Sequence, residues 1–182
     1  IEVRDLGQYI THDHPRMEVF FEKGKTVLPF DLELKYASLQ PLNTARCAVS
    51  LETALAQSEV EKGSTVRLSA VVRNTTEQVL ASPMLVVGIP AGLTLQPWQL
   101  KKLMDEKRCD FYELWDGKAV FHFEQLPARA VRQIDLDLKA DVAGVFEAPA
   151  SQAFLYYQND QRVWGKPQRV RVLTSDYLDI TD

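Results

Sequence analysis

Cysteine is scarce in this sequence. Cys47 and Cys109 are the only two in 182 residues, so one bridge is the most the chain can form. A disulfide scaffold is excluded, and the pair alone leaves the redox compartment open. Long apolar runs are missing as well: nothing approaches the roughly 18–20 residues that a bilayer-spanning helix needs. Nor is there an excess of positive charge. The 21 Lys and Arg are scattered against 25 Asp and Glu, for a net charge of -4, which argues against the basic stripe of a nucleic-acid groove. No G-x-S-x-G nucleophile elbow, H-E-x-x-H helix or P-loop occurs. No basic segment followed by an apolar stretch and a small-residue cleavage site opens the chain. It begins at Ile1 rather than methionine, so a piece of a longer protein is expected, with any export signal upstream.

What is present is period-2 alternation. Hydrophobic residues make up 46% of the chain and charged ones 25%, enough to bury a core. Leu32, Leu34 and Tyr36 alternate with charged neighbours. So do Val66, Leu68, Ala70 and Val72, then Ile134, Leu136, Leu138 and Ala140, then Val170 and Val172. Each run predicts a strand with one face inward. Met84 to Ile89 is apolar throughout except Gly88, as expected of a strand covered on both faces. Polar turns are predicted at Glu61–Ser64, Asn74–Thr76, Asp116-Gly117 and Gln158–Asp160. Short strands separated by polar turns predict an all-β fold, an antiparallel β-sandwich. One stretch differs. Pro97 to Arg108 carries Leu100, Leu103 and Met104 at helical spacing, with Pro97 suited to a first turn, and predicts one short α-helix packed through those three residues. Asp116-Gly117 predicts a hairpin joining Phe111–Trp115 to Ala119–Glu124.

Residues 1–43 read as a separate unit. They hold about two strands, Met17–Glu22 and Phe30–Tyr36, too few to be stable alone, and a linker from Leu39 to Asn43. Residues 44–182 are expected to form the sandwich.

Candidate chemistry is sparse. His12 and His14 could reach one ion from the same face of a strand, but no third ligand is identified and Pro15 favours a solvated loop. His122, between Phe121 and Phe123, reads as a surface or half-buried strand residue rather than a base. Asp135 and Asp137 read as outward solvation. Asn74-Thr75-Thr76 is a formal N-glycosylation sequon in a predicted turn. Lys101, Lys102 and Lys107 give the helix a basic face, either solvated or a docking patch for an acidic partner. Pro149 to Tyr157, ending in a double tyrosine, reads as a core strand with a sharp corner. No reaction centre assembles, so no enzyme, cofactor or metal is expected.

Several of these stretches together resemble the C-terminal receptor-binding-type domain of alpha-2-macroglobulin-like proteins, particularly bacterial ones. The shared features, in order, are the strand and corner Pro83–Leu93, the helix from Pro97, the hairpin from Phe111-Tyr112-Glu113 to Phe123, and Pro149-Ala150-Ser151-Gln152-Ala153-Phe154-Leu155-Tyr156-Tyr157. Cys47-Ala48-Val49-Ser50-Leu51-Glu52 resembles the usual opening of that domain. The resemblance implies a macroglobulin/immunoglobulin-like sandwich. It also implies that residues 1–43 are the trailing strands of a preceding CUB-type domain, carried by Phe30–Tyr36, plus linker. The implied role is a non-catalytic structural and docking domain in a protease-trapping inhibitor. Its partners would be the neighbouring thioester-type and macroglobulin domains, and target proteases through the parent protein; its location would be extracytoplasmic. The thioester motif Cys-x-x-Glu-Gln is absent here. Animal members bind clearance receptors through two helix lysines; here the first falls at Gln96 and the second near Leu100 or Lys101, so receptor binding is not carried over.

Two other readings remain open from the sequence. One is an adhesin or carbohydrate-binding sandwich using Trp98, Trp115 or Trp164. The other is a metal-dependent enzyme centred on His12 and His14.

Overall fold

The alternating runs at 65–74 and 131–140 become the two longest strands and lie side by side, antiparallel, with Leu68 opposite Leu136 and Ala70 opposite Ile134. The computed structural model of the protein describes residues 43–174. The expected strands Met17–Glu22 and Phe30–Tyr36, and the residues His12 and His14, lie outside the described residues.

In chain order the elements are β1 (Val49–Leu55), β2 (Glu59–Glu61), β3 (Thr65–Asn74), β4 (Leu80–Ala81), β5 (Pro83–Gly88), β6 (Leu93–Leu95) and α1 (Pro97–Asp105). There follow β7 (Phe111–Trp115), β8 (Lys118–His122), β9 (Gln125–Leu126), β10 (Val131–Ala140), β11 (Gly144–Glu147), β12 (Gln152–Leu155), β13 (Gln158–Trp164) and β14 (Arg169–Leu173). One sheet has the order β1-β3-β10-β6 and another the order β13-β12-β5-β8-β7. A small sheet β11-β14-β2 and the pair β4-β9 complete the described strands.

The inward faces of the sheets meet in one apolar cluster. Leu68, Ile134, Leu136 and Leu138 from the first sheet join Leu85, Phe121 and Ala153 from the second and Val170 from the third, all with no measurable exposure. Burying each of the larger side chains is worth about 1.5–3 kcal/mol, so this cluster is the main source of stability. The all-β sandwich with one short helix is therefore the architecture.

The expected pattern changes in four places. β2 and β14 pair in parallel, Val60 beside Val172, so the sandwich is not purely antiparallel. The helix stops at Asp105 rather than Arg108. Lys107 turns left-handed (φ 55), and the N–H groups of Lys107 and Arg108 reach back to the carbonyls of Met104 and Leu103. Those two bonds are the closing pattern of a Schellman motif, with lysine where glycine is usual. The chain reverses at Tyr156-Tyr157, not at Gln158–Asp160, which belongs to β13. Leu155 faces Gln158, and a register shift then sets Phe154 opposite Arg162. Finally, Asn43 is tied to the sandwich rather than serving as free linker: its Oδ1 accepts the Trp164 N–H at 2.7 Å.

Other expectations are met. All of β5 is buried. Gly88 is required there, because a Cβ would lie 1.8 Å from the Pro149 carbonyl oxygen. The hairpin β7–β8 turns on Gly117, whose φ of 65 suits glycine. Leu100 is fully buried, and Leu103 and Met104 pack half-buried against the core.

Candidate docking face on the five-stranded sheet

A sheet in a sandwich normally turns one apolar face inward and one polar face to water. The five-stranded sheet here carries an apolar cluster on its second face as well. Met84, Val86, Val120 and Phe154 form a second buried cluster, separate from the main core. Register explains it: Met84 lies opposite His122 on one side and Phe154 on the other, so alternate residues of β5, β8 and β12 share the outer surface.

A groove of about 980 Å³ opens on this surface. Met84 and Phe154 line its floor, and Trp115, Tyr156 and Tyr157 stand around it. Trp115 is 45% exposed and Tyr157 79%. Tyr156 and Tyr157 meet edge to face, with ring centroids 5.0 Å apart, a favoured aromatic geometry. The double tyrosine is thus not core strand but an exposed turn, because β12 ends at Leu155 and the reversal lifts both rings out of the sheet.

Acidic groups border the same groove. Glu113 holds His122 Nε2 at 2.7 Å through Oε1, and Trp115 Nε1 donates to its Oε2 at 3.1 Å. These contacts, Trp115 first and His122 next, pull the Glu113 carboxyl below its ordinary value. Asp110 precedes β7, and its Oδ2 accepts the Glu124 N–H at 2.7 Å. Main-chain bonds then run sideways from Glu124 to Ser82 and from Ser82 to Tyr156: the Ser82 N–H donates to the Glu124 carbonyl at 2.9 Å, and the Tyr156 N–H to the Ser82 carbonyl at 3.0 Å. Ser82 holds a left-handed φ of 48 between them, a conformation that costs a non-glycine residue about 1 kcal/mol or more. Acids and tyrosines are thereby fixed at one end of one sheet.

Arg162 packs beside the groove floor. Its guanidinium carbon lies 4.4 Å from the Phe154 ring centre and 5.9 Å from that of Trp164, and Nη1 donates to Gln152 Oε1 at 2.8 Å.

The predicted site residues scatter. Trp115 and His122 come together at the groove, while Trp98 sits on α1 beside a smaller depression of about 190 Å³ with Arg67, Lys102 and Asp137. The tryptophans therefore make no common platform. Lys101 and Lys102 are exposed on α1, Lys102 lying 3.7 Å from Glu106, and Lys107 falls beyond the helix end. Cys47 and Cys109 are free thiols. Burial pushes the Cys109 thiol up to about 11, with Asp110 adding to the effect. Asp135 and Asp137 face outward as expected, and each has a partner: Ser69 Oγ donates to Asp135 at 2.6 Å, and Arg67 lies 2.7 Å from Asp137.

The sequon departs furthest from its expectation. Asn74 is the last residue of β3 and has no exposure. Its Nδ2 lies within hydrogen-bond reach of three carbonyls, those of Gln78, Leu126 and Pro127, at 2.7–3.0 Å. Its Oδ1 accepts from the Thr76 N–H and hydroxyl.

Sequence reasoning missed Asp110, Glu124 and Ser82. The signal for the first two was available. A turn at Asp116-Gly117 sets Phe111 opposite His122, so Asp110 falls opposite Phe123 and next to Glu124 at the open end of the hairpin. Among the described residues no group of three or more His, Cys, Asp or Glu could hold a metal, and no helix is long and apolar enough to cross a membrane.

No protein-family model matches the sequence, and no curated protein matches it. Solved structures do match. The native conformation of Escherichia coli alpha-2-macroglobulin is similar over 76% of this chain and 10% of its own, at 16% identity with a TM-score of 0.61. A point mutant of Salmonella alpha-2-macroglobulin is similar over 74% and 10%, at 15% identity and a TM-score of 0.60. An Escherichia coli structure spanning domain MG7 to the C-terminus is similar over 72% and 25%, at 14% identity and 0.52. This chain spans about a tenth of the length of the full-length proteins it matches. At such identities the likeness is one of fold: the chain has the fold of a part of bacterial alpha-2-macroglobulins.

Proposed function

We propose that this chain is a non-catalytic docking domain of an alpha-2-macroglobulin-like, protease-trapping protein, held extracytoplasmically, and that the outer face of its five-stranded sheet is where a neighbouring domain of the same parent chain packs. One observation carries the reading: on the outer face of the sheet the exposed rings of Trp115, Tyr156 and Tyr157 stand around a groove lined by Met84 and Phe154. Apolar surface of that kind on a sandwich marks an interaction site. Two further points support it. The sequence resemblance and the structural likeness agree on the same family, and one matching structure runs from MG7 to the C-terminus. The neighbour expected there is the thioester-type domain, whose reactive bond the packed face helps shield. Residues 1–43 are then the trailing strands of the preceding CUB-type domain plus the linker into this one.

The test is to express the complete reading frame and challenge it with trypsin. A trap keeps the enzyme active on a small chromogenic peptide while blocking its attack on a large protein. Replacing Trp115 and Tyr157 by serine in that protein is expected to expose the thioester, read as faster methylamine uptake without protease. A reading frame that encodes no upstream sandwich and thioester-type domains, or a product that leaves trypsin free to digest large substrates, would sink the proposal. The glycan-binding alternative draws on the same exposed rings, and hits on a glycan array lost in Trp115→Ser would favour it instead.

A further inference from the structure

The groove is unevenly charged. Asp110, Glu113 and Glu124 bring three carboxylates to its lining, against the single imidazole of His122. Among the described residues no lysine or arginine lines it, Arg162 packing beside its floor on the Phe154 ring. The three acids are not equally committed. Both oxygens of Glu113 are engaged, by His122 and Trp115. Asp110 spends Oδ2 on the Glu124 N–H, and its Oδ1 has no partner among the described residues. The Glu124 carboxylate is exposed, with no partner among the described residues. Two carboxylates with acceptor capacity thus stand together at one end, joined through Ser82 to the exposed Tyr156-Tyr157 turn.

Aromatic faces beside carboxylates make a recognisable chemistry. A ring's negative face attracts a cation, most strongly a guanidinium or ammonium partly withdrawn from water, and the carboxylates complete its shell with charge-assisted hydrogen bonds. The sheet already stacks one guanidinium in this way, Arg162 on Phe154 at 4.4 Å. An anionic partner would meet three acids. A purely apolar partner would strip water from Asp110 and Glu124 without returning a hydrogen bond, which is costly.

We propose that the groove receives a lysine or arginine side chain carried by the docking polypeptide segment: its aliphatic stem lies against Met84 and Tyr157, and its charged head sits between Asp110 and Glu124. This rests on the reading that the face docks a protein neighbour, and it names what that neighbour must present.

The test uses the full chain, ¹⁵N-labelled, titrated with the capped peptide Ac-Gly-Ser-Arg-Arg-Ser-Gly-NH₂. A second titration replaces both arginines with citrulline, which keeps the shape but not the charge. Shifts are expected at the Trp115 indole and the Tyr156-Tyr157 amides. Binding should weaken about tenfold for the citrulline peptide, and by a similar factor for Glu124→Gln, while Lys102→Ser on α1 leaves it unchanged. Equal binding of the two peptides, no shift at about 10 mM peptide, or shifts gathered away from the groove would overturn the assignment. The outcomes separate cleanly from the trapping assay. A competent trap whose groove ignores arginine loses only the cation, whereas arginine binding by a chain whose parent does not trap removes only the trap.

Discussion

The side-chain amide of Gln99 exchanges two hydrogen bonds with the main chain of Asp137, Nε2 donating to the carbonyl at 2.6 Å and Oε1 accepting the N–H at 2.8 Å. The β6–β10 ladder ends with Leu95 opposite Leu138. The next position on β10, Asp137, has β3 on one side but no strand on the other, and a buried helix side chain takes that place. Helix and sheet are joined by an imitation peptide group.

Gln99→Leu keeps the volume but leaves both Asp137 main-chain groups without their partner at a partly buried site. A loss of about 1–3 kcal/mol is expected from the two lost hydrogen bonds. Urea unfolding with an unchanged slope would measure it. A loss below the scatter of surface substitutions would mean that water satisfies Asp137 equally well.

Lys107→Gly should stabilise the protein. Lysine at φ 55 carries a left-handed penalty that glycine avoids, and the Schellman bonds of the main chain are untouched by the change. A gain of up to about 1 kcal/mol in denaturant unfolding is the expectation. Destabilisation would mean that the lysine side chain contributes a contact that outweighs backbone strain.

Asn74 should stay unmodified even where N-glycosylation is available. Transfer needs an accessible Nδ2, and here it is directed at carbonyls of Gln78, Leu126 and Pro127 inside the fold. Secretion from a eukaryotic host should give protein of unglycosylated mass, insensitive to an endoglycosidase. Asn74→Ala, by contrast, should cost about 2–4 kcal/mol by orphaning buried carbonyls and the Thr76 N–H.

Cys109 sets an alkaline limit. Its thiol is raised from 9.0 to about 11 by burial, with Asp110 contributing, so the native state favours the neutral form. The stabilisation is complete below about pH 9 and is lost as pH rises toward 11. Wild type should therefore lose more stability across that window than Cys109→Val, compared at matched pH by urea midpoint. Parallel curves would show that the thiol does not ionise with unfolding.

What could be read from the sequence follows from the range of the forces involved. The strands holding Leu68, Leu136 and Val170 were legible because alternation is a local consequence of the pleat. The turn at Asp116-Gly117 was legible because only glycine sits easily at its left-handed position. Tyr156-Tyr157 was not, since neither residue announces a turn and the polar run after it does. The reversal there is set by a register shift against β12. Asn74 misled for a related reason: two of its acceptors lie 52 and 53 positions away, so a triplet that looks like a solvent turn is plugged by distant chain. The groove was half legible. Hairpin register implied the meeting of Asp110 and Glu124, but their approach to the tyrosine turn needs β5 and β12 as neighbours.

The threads that tie Asn43 and Thr44 to the far strand β13, and β2 to β14, span well over a hundred positions. On a ribosome delivering roughly 5–20 residues per second, the first strands must wait many seconds for companions that do not yet exist. Until Leu173 has emerged, the lining of the future interior is available to any other sticky chain nearby. Successful production of this domain is therefore a matter of protection during synthesis as much as of the stability finally reached.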